Sequence, residues 1–536
     1  MWGPRNGDDI RPYNAEMMRF LDVLEGAEVL ALEQRGNPEI SGLQYDSRRV
    51  QPGDLFVAFR GEKTDGNRYI EAAVVAGAVA VVSDSADALP TDIAAARVTD
   101  GRCALARLSA NFYRRPAEKL SITGITGTNG KTTSAFLLES IFTAAARSSY
   151  LVGTVEYHIA GKTLRAPHTT PESLELNQFF AQALRAGATE GVMEVSSHAL
   201  AQGRVYAIPF DVAVFTNLTR DHLDYHGNFD GYFAAKRLLF EGCGTEPPRV
   251  AVVNADDEYG VRLARFSKSQ GSEAITYGIS KGEVRAHIKD MGQNGTRFDL
   301  QTPKKEEELA LWSPLIGRVN VYNVLAAASA AYARGCPPDA IARGVAALER
   351  VPGRFERVDC GQPFTVIVDY AHTDDALRNL TALARDFVSR IHQTGEKSTG
   401  RVITVFGCGG DRDHSKRPLM GEATGRGSDF VVLTSDNPRS EDPMAIIGEA
   451  LPGLKISGAE FTVQPDRREA IALAIQQASA GDIVLIAGKG HEKVQITREG
   501  TASFDDVEVA REALQAAGFG ATTRVATRKS GGKACS

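Results

Sequence analysis

The sequence predicts an α/β protein built from several layered domains, and three observations carry that prediction. Short Val/Ile-rich runs alternate with helical stretches almost throughout, the pattern of parallel sheets covered by helices. At 536 residues the chain is too long for one core, and length alone suggests about three or four domains. A turn-forming Pro352-Gly353-Arg354 and a glycine turn at 127–130 divide the alternating pattern into three blocks.

The first block, 15–118, holds the predicted strands Asp54-Leu55-Phe56-Val57-Ala58-Phe59 and Ala78-Val79-Ala80-Val81-Val82. The second, 119–352, opens with a buried strand over Leu120 to Ile125, then Gly127-Thr128-Asn129-Gly130-Lys131-Thr132-Thr133. A helix follows, with Leu137, Leu138, Ile141 and Phe142 on one face. Its later strands are 191–195, 212–215 and 250–253. The third block, 353–518, has strands at 366–368, 402–406, 431–433 and 483–486. Residues 1–14 and 522–536 read as loose ends, and 519–536 as a disordered tail.

Strand, glycine turn, Lys-Thr and helix make a phosphate cradle. Backbone N–H groups and the helix N-terminus point at an anion, Lys131 adds charge, and the Thr132 hydroxyl can hold Mg²⁺. The match to G-x-x-x-x-G-K-[ST] is imperfect, because Ile125 stands where the first glycine belongs. The competing reading is a glycine turn in an ordinary βα unit.

In open α/β sheets ligand groups sit just past the carboxyl ends of strands, and the polar clusters fall there. They are 194–198, 216–222 and 254–257 in the second block, and 369–372, 407–412, 435–439 and 488–492 in the third. Two sets, one per sheet, suggest chemistry shared between two domains.

Bulk properties narrow the partners. A net charge of −6 without a block of like charges argues against general nucleic-acid binding. Six scattered cysteines without a CxxC pair argue against a disulfide framework or zinc knuckle and fit a reducing compartment. No apolar run is long enough to span a bilayer and no signal-peptide core opens the chain, so a cytoplasmic protein with small-molecule partners is expected.

With these clusters assembled, the chain resembles the Mur ligases from about Ser41 to Leu514, in many motifs and in the family's order. The resemblance implies three domains: an N-terminal UDP-sugar-binding α/β domain, a central P-loop ATPase with a mostly parallel sheet, and a C-terminal Rossmann-like domain. It implies an ATP-dependent amide ligase that joins a carboxylate to an amino acid through an acyl phosphate. Asp436-Asn437-Pro438-Arg439 resembles the signature of members that add meso-diaminopimelate to UDP-MurNAc-L-Ala-D-Glu. A monomer is expected, with no nucleic acid and no membrane.

The resemblance also implies roles. Gly127 to Thr133 and Asn323 would bind ATP, although Asn323 could equally cap a helix. Lys131, Glu194, His222 and Lys236 would be catalytic. Thr132, Glu194, His222 and a CO₂-carbamylated Lys236 would hold Mg²⁺. Composition alone makes Lys236 an ordinary helix-surface lysine. The i,i+4 pair His222 and His226 raises zinc, but no third nitrogen or thiolate ligand is evident nearby.

Tyr45, Ser47, Glu62, Lys63 and Thr64 match uridine contacts, with a plain turn as the alternative. His168, Thr169, Thr170, Ser196, Gln202 and Arg204 match positions for the muramoyl-dipeptide and its diphosphate, with a surface salt bridge as the alternative for Arg204. For diaminopimelate, Arg412 and Arg439 are the carboxylate grips and Asp436 and Glu492 the ammonium side, with Asn437, Pro438 and Gly488 around them. A capped turn with a solvated Arg439 is the bland reading. Two positions depart from the family pattern: Asp374 stands for a proline and His168 for an asparagine.

A folylpolyglutamate synthetase would share the central and C-terminal plan, without the first block or the Asn437-Pro438-Arg439 signature. A P-loop switch ATPase would leave the C-terminal clusters unexplained.

Overall fold

The computed structural model describes residues 16–520 apart from 34, 63, 88, 293–294, 303–307 and 394–399. Residues 1–14 and 521–536 of the expected loose ends lie outside the described residues, as does Lys63, whereas Phe519, expected in the disordered tail, packs edge-on against Phe364 with ring centroids 5.6 Å apart. The chain divides into two compact units at the Val351/Pro352 junction.

The first unit contains two sheets. The smaller has five strands in the order Val29–Glu33, Ala94–Val98, Ala80–Ser83, Asp54–Ala58, Gly42–Gln44, all parallel except the antiparallel first pair. Helix Gly101–Phe112 covers it. Asp100 caps that helix by accepting the Cys103 N–H. The core beneath includes Leu174 and Ala181, which belong to helix Ser173–Arg185 of the next block, so the two blocks share apolar packing.

The larger sheet has eleven strands. Its parallel middle runs Ser149–Val152, Glu190–Glu194, Ser121–Thr126, Phe210–Phe215, Val250–Asn254, Glu273–Gly278. Alternation sends Val212, Val214, Val250 and Val252 to one face and Ala213, Phe215, Ala251 and Val253 to the other, and both faces are buried. Each side carries an antiparallel extension: Glu156–Ile159 with Lys162–Arg165 at one edge, and Val284–Gly292, Gly295–Gln301, Glu308–Ser313 at the other. These arms alternate buried and exposed residues with many charges, so they lack the apolar runs that mark the middle strands.

The second unit has six strands in the order Glu356–Val358, Thr365–Asp369, Ile483–Ala487, Val402–Cys408, Phe430–Ser435, Glu460–Val463, parallel except the first. The connections from Thr365–Asp369 to Glu460–Val463 advance in one direction and their helices pack on one face. The return to Ile483–Ala487 runs the other way and puts helices Arg467–Gln477 and Asp506–Ala516 on the opposite face. That is what a consistently right-handed crossover requires. Asp374, the residue in place of proline, opens helix Asp374–Gln393, and Thr373 Oγ1 accepts the Ala376 N–H. A first-turn carboxylate suits the helix dipole much as proline suits its fixed φ.

Candidate active site

Adjacent strands bring the first cluster together. Glu194 pairs in register with Ile125, and Phe215 with Thr126, so Glu194, the loop at 127 and Thr216 emerge side by side. The loop is held by the neighbouring strand end. Thr128 N–H donates to Asn217 O at 2.8 Å, Asn129 N–H to Asn217 Oδ1 at 2.9 Å, and Thr216 Oγ1 to Asn129 O at 2.6 Å. Gly127 and Gly130 have φ of 146° and 89°. A Cβ on Gly127 would lie 1.9 Å from Thr216 Oγ1, and one on Gly130 2.4 Å from Asn323 Oδ1. Both positions therefore require glycine, for backbone and for space.

Lys131 begins helix Lys131–Ala144. Its Nζ donates to Gly127 O at 2.9 Å and Thr128 O at 3.0 Å. Thr132 Oγ1 donates to Glu194 Oε2 at 3.0 Å. Glu194 is fully buried and also accepts from Thr154, N–H to Oε1 at 2.7 Å and Oγ1 to Oε2 at 2.9 Å. Gly153 leaves room for it, since a Cβ there would meet Glu194 Oε1 at 2.5 Å.

Lys236 is not the helix-surface lysine that composition suggests. It is 1% exposed on helix Phe229–Glu241, its Nζ donates to Gly127 O at 2.9 Å, and it sits 4.4 Å over the Tyr232 ring. Its hydrophobic neighbours Phe233 and Phe240 flank a buried stripe that carries it inward. Burial and the nearby Lys131 charge hold its pKa well below the usual lysine value, against Asp221.

His222 has a φ of 53°, with its N–H donating to Asp221 Oδ1 at 3.0 Å and its Nε2 3.3 Å from Asp221 Oδ2. Its ring meets His198 at 4.7 Å and Tyr232 at 6.3 Å between centroids. The Tyr232 hydroxyl in turn shares a 3.3 Å hydrogen bond with Thr128 Oγ1, tying this histidine cluster to the loop. His226 bonds Ser197 Oγ at 3.0 Å through Nε2. Among the described residues, no group of three His, Cys, Asp or Glu is arranged to hold a metal. Thr132 and Glu194 do form a pair of hard oxygen donors of the kind Mg²⁺ prefers. Asn323 lies inside helix Arg318–Ala333, where Gly317 occupies the N-cap, so it is not a helix cap.

Thr169, Thr170, Ser196, Gln202 and Arg204 form one network. Thr169 Oγ1 lies 3.1 Å from Thr154 Oγ1. Thr170 Oγ1 donates to Glu194 O at 2.8 Å and accepts the Ser196 N–H at 3.1 Å. Ser196 caps helix Ser197–Ala201. Arg204 donates to Thr170 O at 3.1 Å and Gln202 Oε1 at 2.5 Å, and it pairs with Glu172 at 3.3 Å. It is thus both ion-paired and part of the network. His168 contributes its carbonyl to the Tyr157 hydroxyl, and burial lowers its ring pKa. Gln202 Nε2 donates to Glu62 Oε1 at 2.5 Å, linking to the first block. Ser47 opens the turn Ser47–Arg49, capped by Asp46. Thr64 is exposed, its carbonyl accepting from Gly61 at 2.9 Å. Tyr45 donates to Glu175 Oε1 at 2.9 Å.

In the second unit, Asp436, Asn437, Gly488 and Glu492 come together where Phe430–Ser435 and Ile483–Ala487 end. Asp436 and Asn437 are buried, and Asn437 Nδ2 donates to Glu492 Oε2 at 2.7 Å. Pro438 is buried behind them. Arg439 is half-buried with a φ of 53°, its N–H donating to Ile496 O at 3.0 Å and its guanidinium to Gly410 O at 2.6 Å. It is not a solvated turn residue. Arg412 is exposed and donates to Asp411 O at 3.0 Å, and its charge reaches Arg439.

Three residues in these networks escape sequence reasoning. Thr154 and Glu175 carry no motif. Lys489 lies inside a noted cluster but is singled out only by its position: it is fully buried, against Asp436, Asn437 and Glu492.

Three family models match stretches of this chain. Residues 39–113 match the Mur ligase family catalytic domain, 125–331 the Mur ligase middle domain, and 353–490 the Mur ligase glutamate ligase domain. A protein of Solibacter usitatus named UDP-N-acetylmuramoyl-L-alanyl-D-glutamate--2,6-diaminopimelate ligase is 54% identical, covering 90% of this chain and 94% of the relative. A solved structure of a ligase with that same name superposes with a TM-score of 0.65 at 33% identity, covering 94% of this chain and all of that one. A folylpolyglutamate synthase of Mycobacterium tuberculosis reaches a TM-score of 0.57 at 19% identity over 73% of this chain and 92% of its own, a likeness of fold alone.

Proposed function

The chain belongs to the Mur ligase family, and from that premise we propose that it adds meso-diaminopimelate to the D-glutamyl carboxylate of UDP-MurNAc-L-Ala-D-Glu, driven by ATP, in peptidoglycan precursor synthesis. It is an ATP-dependent acid–amino-acid ligase. The reaction runs in the cytoplasm on a monomer. The observation that carries the site assignment is the convergence of Lys131 and Lys236 on one carbonyl, Gly127 O, beside the Thr132–Glu194 pair.

The phosphate loop cradles the ATP phosphates with its backbone N–H groups. Lys131 leaves its carbonyl partners for the γ-phosphate and offsets charge as the D-glutamyl side-chain carboxylate displaces ADP. The product acyl phosphate is attacked by the diaminopimelate amine, phosphate departs, and an amide remains. Thr132 and Glu194 would hold Mg²⁺, with His222 as a further ligand, and the ion would supply electrostatic stabilisation of phosphate charge. Lys236 would join them as a carbamate. Its depressed pKa supports this, because only the neutral amine attacks CO₂, losing a proton as the N–C bond forms.

Arg204 and the Thr169–Thr170 pair hold the acceptor's anionic part. Tyr45, Ser47 and the Glu62–Thr64 loop hold its uridine. Arg439, with Arg412, grips the distal carboxylate of diaminopimelate, and Asp436 and Glu492 face its ammonium. The deciding experiment is phosphate release from ATP with UDP-MurNAc-L-Ala-D-Glu, comparing diaminopimelate with lysine. Preferred release with diaminopimelate is expected. Equal use of lysine would overturn the specificity, and release without either amine would overturn the ligase.

A further inference from the structure

Lys489 is entirely buried, and no step above uses it. Its Nζ donates to Asn437 Oδ1 at 2.8 Å and to Asp436 Oδ1 at 3.4 Å, and it lies 3.6 Å from Glu492 Oε2. Asn437 closes the arrangement. Its Nδ2 donates to that same Glu492 oxygen at 2.7 Å, and its Oδ1 also accepts the Ile496 N–H at 3.0 Å. The Asp436 carbonyl accepts from Gln495 at 2.9 Å. The signature turn is thus tied to the strand Val494–Thr497 at one side and to a buried ammonium at the other.

Asp436 and Glu492 both lie within 3.6 Å of the one ammonium, so the two carboxylates repel each other and the cation between them offsets that repulsion. A buried ammonium equally requires anionic partners. We infer that Lys489 is a positioning residue of the amino-acid site: its ammonium keeps Asp436 and Glu492 ionised together and fixes Asn437, so the cluster offers one net negative charge to the incoming substrate ammonium. This rests on the reading of the cluster as the diaminopimelate site.

The surrounding charges fit the assignment. Arg439 and Arg467 face Asp436, with Arg412 beside Arg439, and Asp506 is the ion-pair partner of Arg467 at 2.7 Å. Burial and the Asp436 charge raise the Glu492 pKa above the usual carboxylate value, with Lys489, the Asn437 hydrogen bond and Arg439 opposing them. His491, the neighbour in sequence, meets the Tyr370 ring at a tilt, with centroids 5.0 Å apart.

The test is the pH profile of kcat/KM for diaminopimelate, read as phosphate release by full-length wild type, Lys489→Met and Lys489→Gln. In both variants the KM for diaminopimelate rises about 10-fold or more, and the acid limb moves up by about one pH unit or more. The KM for ATP stays within about 3-fold of wild type. Lys489→Gln keeps a donor for Asn437 and removes only the charge, so it covers the case in which Lys489→Met does not fold. In Lys489→Gln/Glu492→Gln the displaced limb disappears. A wild-type acid limb in Lys489→Gln, or a displaced limb persisting in the double variant, overturns the inference. Failure of wild type to use diaminopimelate is a different result and overturns the substrate reading instead.

Discussion

Among the described residues, Lys236 and Lys489 are the lysines most completely removed from water, and their surroundings are opposite. Lys236, beside the phosphate loop, meets a carbonyl, an aromatic face and a second lysine. Lys489, beside the signature turn, meets two carboxylates and an amide oxygen. Burial is therefore not what separates them. Where neighbours are cationic, the amine loses its proton readily and becomes a nucleophile. Where they are anionic, the ammonium becomes a permanent part of the electrostatic framework. On the proposed reading, the same side chain would serve one site as a reagent and the other as a counter-ion.

Lys131, which shares the Gly127 carbonyl with Lys236, carries the largest expected effect. Lys131→Ala removes the cation that answers the developing phosphate charge, and ADP release in the complete mixture falls by about 10³-fold or more. Near-normal turnover would detach the loop from the chemistry. Lys236→Ala loses about 10²-fold in kcat, and CO₂-depleted buffer lowers the activity of wild type but not of this variant. Labelled bicarbonate should give a carbamate carbon resonance in wild type alone, and its absence would remove the nucleophile half of the contrast.

On the other side, Arg439→Ala raises the KM for diaminopimelate about 30-fold, the equivalent of about 2 kcal/mol for one lost charge-assisted grip, with little change for ATP. Equal effects on both substrates would end its role in selection. Stability offers a further check on the partnered class. Arg467 and Asp506 are fully buried and paired at 2.7 Å, and Asp506→Ala should destabilise the second unit by about 3–5 kcal/mol in denaturant titration.

The smallest effect is at His158, held between Glu139 at 2.7 Å and Glu156 at 2.9 Å. Burial opposes its charge, but the two carboxylates prevail and raise its pKa to about 9 from 6.5. Raised folded-state pKa means stability that is fully present below about 6.5 and lost as pH climbs through about 9. Melting curves of His158→Gln and wild type should differ at pH 6 and converge above pH 9. A gap that persists at high pH would show that the histidine acts by shape.

How far the sequence reveals all this depends on what carries each signal. The parallel strands are legible because burial on both faces demands unbroken Val and Ile. The polar clusters at their ends are legible because ligand groups of open sheets collect there. The antiparallel arm from Val284 to Ser313 is not, since one wet face dilutes its apolar content. Thr154 is invisible because a threonine after a strand has no distinguishing neighbour, yet it holds both oxygens of Glu194. Lys236 and Lys489 are ordinary letters whose meaning is three-dimensional. For Lys236 the family resemblance points to a role. Nothing of that kind points to Lys489 before its neighbours are seen.

Arg439 keeps its backbone in a left-handed conformation, φ 53°, which a side chain with a β-carbon adopts at a cost of about 1–2 kcal/mol. Glycine or asparagine would relieve the turn. A lineage that stopped discriminating on the distal carboxylate would therefore lose this arginine quickly, because mutation and folding stability would push the same way. On the proposed reading, laboratory evolution toward lysine as the amine should erase it among the first substitutions.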